Sequence, residues 1–490
     1  MSTPTDPSSG TIVKSDRTDR VRYSAQYKQE VVASFASSRL SAPVFGRPRA
    51  RAAASLKDLG GNRRMARYTG VVMNKIRLSH GLLVALGMTV AMAQAAETRT
   101  WMSRKGGTME AELGSITGDQ VTLITKDTKE IKLKIEDLSL ADRQHLVEFG
   151  GAEPSIITSG EPGFPEKEAR IDPATIKKLT TKLTLGESGL LAFELVESAH
   201  FLIASAGKIR GHETAETAER LWHGMAFQHM NFRKDWGDKR MLILLVDDRK
   251  VYKALGDWYV SYLTKEGQDA AAQKTKNIWD KTGSNQLNLP AETIEKHKLH
   301  QTAILFNITE AASYSKPLGP FPTHSIAGTV LAKQMSGVSS FGAEGYFAIV
   351  TGHAYFKEIS LAKKTETHLL DVSGSLNDDI SSKQGFKDGT SWARTLRPLV
   401  RRGKVKVELE PMLKWTGTDL NPERLVLIYS FAYYMESDAK RLCAFAKMIR
   451  RVESSNQIPP AAEIAKIFGF DSVADFEADW KKFITEGNFK

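Results

Sequence analysis

Eleven histidines and a single cysteine are the side chains of this 490-residue sequence best suited to metal ligation or nucleophilic chemistry, and few of them are spaced for it. Cys443 stands alone, which rules out an intramolecular disulfide and any cysteine-rich zinc site. It accompanies Leu425, Ile428, Ala432, Met435, Ala439, Leu442, Ala446 and Ile449, whose three-four spacing predicts one buried helical stripe with the thiol as apolar filler. His212-Glu213-Thr214-Ala215-Glu216 has the outline of a two-histidine zinc motif. Its fifth position is Glu, however, and it opens a helix, where acidic residues suit the helix dipole. His223 and His229 are not one turn apart, and His297 and His300 lie in a basic polar stretch, so both pairs read as solvated. His145 has no partner at helical spacing and reads as a surface residue. His353, Glu358, Glu366, His368 and Asp371 are the remaining set from which an unfamiliar metal site could be drawn.

The elements that must position these groups change character along the chain. From Thr184, Phe193–Val196 and His200–Ala204 read as paired strands and Thr214–Phe232 as a helix. Met241–Val246 reads as a fully buried strand, followed by a helix over Val251–Leu263. From Thr323 nearly everything is helical, ending in Ala461–Phe468 and Val473–Ile484, which makes the architecture α+β. Trp392, Trp415 and Trp480 read as core fillers.

Over roughly Thr184–Phe483 this order resembles the thermolysin-like zinc peptidases, the gluzincins, and their peptidase-MA-type relatives. The closing stretch, Tyr429–Tyr434, Phe468-Gly469-Phe470 and Phe476–Trp480, looks like that family's helical tail. There a helix carries H-E-x-x-H, two zinc ligands flanking the general base, and a later Glu-Gly helix supplies the third ligand. The corresponding stretches are His324-Ser325-Ile326-Ala327-Gly328 and Phe341–Phe347 with Glu344-Gly345. The resemblance implies His324 as first ligand and Glu344 as third, with Ser325 in place of the base and Gly328 in place of the second histidine. Two ligands cannot hold a catalytic zinc, and a serine is no substitute for a carboxylate base without an activating partner. The expectation is a vestigial cleft at His324, Ser325, Gly328, Glu344 and Gly345: a pseudo-peptidase without cofactor that holds polypeptide. Zinc enters only under the alternative of a divergent hydrolase with ligands elsewhere, and a third reading is a structural partner in an envelope assembly.

Upstream, Arg99–Ser103, Glu110–Ile116, Gln120–Ile124 and Glu130–Ile135 alternate as half-buried strands, with turns at Gly106-Gly107 and Thr117-Gly118-Asp119. Ser139 is placed to cap a short helix through His145 and Leu146. Trp101, the Gly106-Gly107 turn, Glu110-Ala111-Glu112, Val121-Thr122-Leu123 and the LSLADRQHL ending resemble the SLA homology domain, a small barrel of Src-homology-three type. That resemblance implies peptide binding, with Trp101, Glu110 and Glu112 as candidates. Residues 150–173, rich in Gly, Pro, Ser and Glu, read as an interdomain linker.

The net charge of +11 is not spread over the folded part. Residues 1–72 carry a surplus of eight basic groups, Lys75 and Arg77 add two, and the chain from Ala96 onward is nearly neutral, which argues against nucleic acid as its partner. From Met73 a short basic start, an apolar run over Gly81–Ala93 and Ala93-Gln94-Ala95 form a three-part signal peptide. The run is shorter than the roughly twenty residues a membrane anchor needs. The expected organisation is a basic leader at 1–72 with a misplaced start, a signal peptide at 73–95, the small barrel at 96–150, the linker at 151–173 and the peptidase-like domain at 174–490. Residues 20–47 resemble the opening helices of a truncated insertion-sequence transposase helix-turn-helix.

Overall fold

The computed structural model describes residues 12–15 and 21–23 and, from 98 onward, all residues except 187–190, 208–210, 282–283, 309–317, 336–343, 368–385 and 387–388. The signal peptide and most of the leader lie outside the described residues. Met1–Thr89 and Val90–Lys490 are two compact units. In the first, β1 (Ile12–Ser15) pairs antiparallel with β2 (Val21–Tyr23). The start of the expected helix-turn-helix is therefore a strand, in keeping with its β-branched and aromatic residues; the rest of 20–47 lies outside the described residues.

The second unit opens with a four-stranded antiparallel sheet, β3 (Arg99–Met102), β4 (Thr108–Thr117), β5 (Gln120–Thr125) and β6 (Glu130–Lys134), paired in chain order. Period-two alternation sends Val121 and Leu123 inward with Trp101 and Ala111, while Lys132 and Lys134 face solvent. Gly118 turns β4 into β5 with a φ of 60°, a left-handed value that costs glycine nothing. Ser139 caps α1 (Leu140–Phe149) by accepting from Asp142 N.

Residues 150–173 are a packed connection rather than a free tether. They form a short 3-10 turn, Pro154–Thr158, and α2 (Pro165–Glu168), whose Glu166 is buried. The sheet and the connection are docked on the larger body. Arg233 donates to Thr100 O at 3.2 Å and pairs with Asp142, His223 Nε2 meets Arg104 O at 2.9 Å, and Leu140 packs on Cys443 and Ala446.

The larger body holds a six-stranded sheet in the order β11-β12-β10-β9-β8-β7. Its strands are β7 (Lys177–Thr184), β8 (Ala192–Glu197), β9 (Phe201–Ala206), β10 (Met241–Val246), β11 (Ser284–Asn288) and β12 (Thr302–Asn307). β9, β10 and β12 run parallel, while β7, β8 and β11 are antiparallel to their neighbours. Every residue of β10 is buried because both faces are covered, which is why it reads as one apolar run. Ile243 and Leu245 pack toward α3 (His212–Gln228), and Leu242 and Leu244 toward α5 (Arg249–Lys265). Between them lies α4 (Phe232–Trp236), and α6 (Asp269–Ile278) and α7 (Ala291–His297) lead into β11 and β12. One edge strand, β7, exposes Lys177, Lys178 and Lys182, charges that discourage pairing with another chain.

From Pro320 the described residues are helical: α8 (Pro320–Gln334), α9 (Tyr346–Ala362), α10 (Trp392–Arg401), α11 (Leu409–Leu413), α12 (Pro422–Met435), α13 (Ala439–Ser455), α14 (Ala461–Ile467) and α15 (Val473–Glu486). Trp392 and Trp480 are fully buried, while Trp415 is half-buried beneath the guanidinium of Arg424. The single stripe expected over Leu425–Ile449 is two helices. Asp438 accepts from Arg441 N as the cap of α13, and the break leaves Glu436 free to turn into the core.

Candidate functional site

His324 lies in the second turn of α8, which starts with Pro320, a residue suited to a first helical position. α8 and α9 run antiparallel: His324 meets Tyr355 and Glu358, and one turn on, Gly328 faces Ala354 and Val350. The His324 ring stands edge-on to Tyr355 at 4.4 Å between centroids, and its Nδ1 lies 2.9 Å from Glu358 Oε2. Glu358 is fully buried; its other oxygen accepts from the backbone N–H groups of Glu366 and Thr367 at 2.8 and 3.1 Å. Three donors thus converge on this carboxylate, which fixes the imidazole and leaves Nε2 as the nitrogen without that partner.

The other residues expected at the vestigial cleft are placed differently. Ser325 turns away from His324 and donates to Ser284 Oγ on β11 at 3.2 Å. A Cβ at Gly328 would stand 3.2 Å from Ala354 Cβ, so the glycine permits close approach of the two helices. Glu344 is exposed just before α9, and Gly345 caps that helix with a φ of 83°. About 18 Å of helix separates Tyr346 from Glu358. The glutamate at His324 is therefore Glu358, near the C-terminal end of α9, not Glu344. In the small sheet, Trp101 is buried and donates its indole N–H to Ala111 O at 3.0 Å, so it belongs to the core. Glu110 is exposed beside Lys126, and Glu112 accepts from Thr98 at 3.3 Å.

No family model, curated protein or solved structure matches the chain.

Lys357, the residue before Glu358, and His353, one turn before Lys357, belong to a second cluster on the same helix. Lys357 Nζ lies 2.9 Å from Glu166 Oε1, 3.1 Å from Glu436 Oε2 and 3.0 Å from Gln228 Oε1. Glu436 Oε1 meets His353 Nδ1 at 2.7 Å, and all five side chains are buried. Burial acts to lower the basicity of Lys357, but Glu166 and Glu436 outweigh it and hold the ammonium above its ordinary range. Burial likewise acts to raise Glu436, but Lys357 and His353 hold its carboxyl down to about 2. His229 beside them is pushed down to about 3, chiefly by burial.

Of the set His353, Glu358, Glu366, His368 and Asp371, the three described members do not converge: His353 serves Glu436, Glu358 serves His324 and Glu366 pairs with Lys364. His368 and Asp371 lie outside the described residues. Among the described residues, no group of three or more His, Cys, Asp or Glu is arranged to hold a metal ion. His223, His229 and His300 are buried rather than solvated, because α3 and the edge of β10 turn them into the core. His145 is half-buried, edge-on to Trp101. His212 opens α3 as expected, with Glu213 in its first turn, and Glu216 pairs with Arg220.

Sequence reasoning missed Lys357, Glu166 and Glu436. The available signal was a lysine and a glutamate inside the otherwise apolar run of Tyr346–Ala362, since such charges are buried only when paired.

Proposed function

We propose that the chain is an exported, non-catalytic polypeptide-binding protein. In this reading a small SLA-homology-type barrel over 96–150 is joined to a thermolysin-like domain over 174–490 that has lost its zinc chemistry. The observation that carries the reading is the contact between Gly328 and Ala354. A second ligating histidine would need a whole imidazole where a single Cβ is already 3.2 Å from its neighbour. Ser325, in place of the general base, is committed to Ser284. A site that keeps His324 oriented but has neither base nor second ligand is suited to holding a polypeptide, or a segment of an envelope protein, rather than cutting it. The Met73–Ala95 segment, with its basic start and Ala93-Gln94-Ala95 ending, supports export to the periplasm or beyond. No described helix is long and apolar enough to cross a membrane.

The test uses chain from Ala96 onward incubated with equimolar zinc and then with fluorescent unfolded casein. Binding seen by anisotropy, without cleavage and without retained zinc, is the expected result. Casein hydrolysis that disappears in His324→Ala would overturn the proposal.

A second reading, a zinc-dependent hydrolase with non-standard ligands, draws support from Glu358 at His324 Nδ1. A buried carboxylate in that position is how metal-binding or proton-accepting histidines are oriented. Stoichiometric zinc in the intact protein, lost on His324→Ala, would select this reading.

A further inference from the structure

A partly open cleft lies where the small sheet, the connection, the end of α3 and the start of α13 meet. Leu140, Ile157, Phe227, Leu442 and Cys443 give it apolar walls. Burial raises the Cys443 thiol, so at neutral pH it is an uncharged part of that wall. Arg104, Arg143 and the exposed Glu161 also line the cleft. Arg143 donates to three backbone carbonyls, Leu138 O, Ser159 O and Glu136 O, and among the described residues it forms no ion pair. Arg104 donates to Glu161 O and Pro162 O, and its one carboxylate partner, Glu168, is 3.4 Å away and 42% exposed. Carbonyls orient these guanidiniums without cancelling their charge, and each guanidinium, with five N–H groups, keeps donors to spare. Burial and the neighbouring charge of Arg104 bring Arg143 down to about 10, with Glu136 and Asp137 pulling the other way.

We propose that this cleft binds a short aliphatic carboxylate, its tail on the apolar walls and its charge on the Arg104–Arg143 pair. The same chemistry is offered by a free short-chain acid and by the C-terminal residue of a peptide. Both present an apolar group beside a carboxylate, and a planar carboxylate suits the guanidinium fork.

Cys443 is the only thiol, so its alkylation by a small maleimide reports occupancy directly. The probes are pentanoate, pentanamide, pentylamine, and a tetrapeptide ending in leucine with a free or an amidated C-terminus. Pentanoate or the free-ended peptide is expected to slow Cys443 alkylation at concentrations about tenfold lower than its amide counterpart. Whichever of those two protects identifies the source of the carboxylate. Arg143→Gln should abolish the preference, but its three carbonyl contacts put folding at risk. Ala439→Leu, at a half-buried lining position, fills the cleft instead and should abolish protection while the circular dichroism spectrum is unchanged. Equal protection by acid and amide, protection by pentylamine, protection that survives Ala439→Leu, or none by any probe would overturn the proposal.

Discussion

Glu358 binds His324 Nδ1 at 2.9 Å across the α8–α9 contact, with its second oxygen tied to two backbone amides. The pair therefore orients an imidazole and anchors the chain leaving α9. Glu358→Ala should cost about 3 kcal/mol, because it strands three donors at once, the Thr367 amide buried and the His324 and Glu366 groups partly so. His324→Ala, which leaves the two amide bonds in place, should cost about 1 kcal/mol. Urea denaturation of both variants checks the order.

Lys357→Met should be among the most damaging single changes in the chain. It leaves Glu166 and Glu436 buried without their shared cation, and breaking such a pair costs about 3–5 kcal/mol. Adding Glu166→Gln and Glu436→Gln removes the stranded charges and should recover a substantial part, as read from urea midpoints at constant slope.

Acid should loosen the fold, and His229 gives the sign. Its folded value of about 3 lies below its ordinary 6.5, so above 6.5 it is neutral in both states and has no effect. Below 6.5 the unfolded chain binds a proton that the folded chain refuses, and stability falls until about pH 3. From pH 6.5 to 5 this amounts to roughly 2 kcal/mol. His300, brought down to about 4 mainly by burial, acts in the same direction. Glu436, held at about 2 against an ordinary 4.5, adds its loss only below 4.5. Lys357, held above its ordinary range, contributes fully through neutral pH and loses its contribution only in strong alkali. Urea titrations at pH 7, 6 and 5 should therefore show a slope that flattens in His229→Met, the charged and titratable groups acting on His229 being Glu436, His353 and Lys357.

Gly328→His should overpack the α8–α9 contact and cost about 1–3 kcal/mol, part of it recovered by Ala354→Gly. Ser325→Glu with Gly328→His should gain no tight zinc affinity even when Ala354→Gly makes room for the ring, because Glu344 does not stand at His324 and no third ligand is supplied. Isothermal titration of the double and triple variants checks this, and stoichiometric zinc in the triple variant would overturn it.

Gly224→Ala should unseat Glu166, since a Cβ there would stand 2.3 Å from Glu166 Oε1. Limited proteolysis within 150–173 should accelerate severalfold, while the strands on either side stay protected.

What could be read from the sequence followed periodicity. The four strands of the small sheet, the Ser139 cap, the buried run Met241–Val246 and the terminal helices all carry local signals, alternation or three-four spacing, that survive without knowledge of the partner. β7 did not, because an edge strand rich in exposed lysine has little apolar alternation to show. The buried ion network was also out of reach: His353 and Glu436 are 83 residues apart, and Lys357 and Gln228 are 129 apart. Glu166 was the hardest to see, since a glutamate among Gly, Pro and Ser has the composition of a solvated tether. Only the hollow over Gly224 shows otherwise.

The placement of Glu166 also bears on how the chain reaches its native state. During synthesis this carboxylate emerges first, its cation Lys357 follows only after the whole six-stranded sheet, and Glu436 arrives later still, at the break between α12 and α13. Contacts of such long range are slow to form because loop closure precedes their reward. A nascent chain stopped before α12 holds Lys357 and Glu166 without the second carboxylate and His353 without its partner. The C-terminal helices are thus a completion signal for the entire body, and trimming them should trap a long-lived, incompletely packed intermediate rather than a smaller native protein.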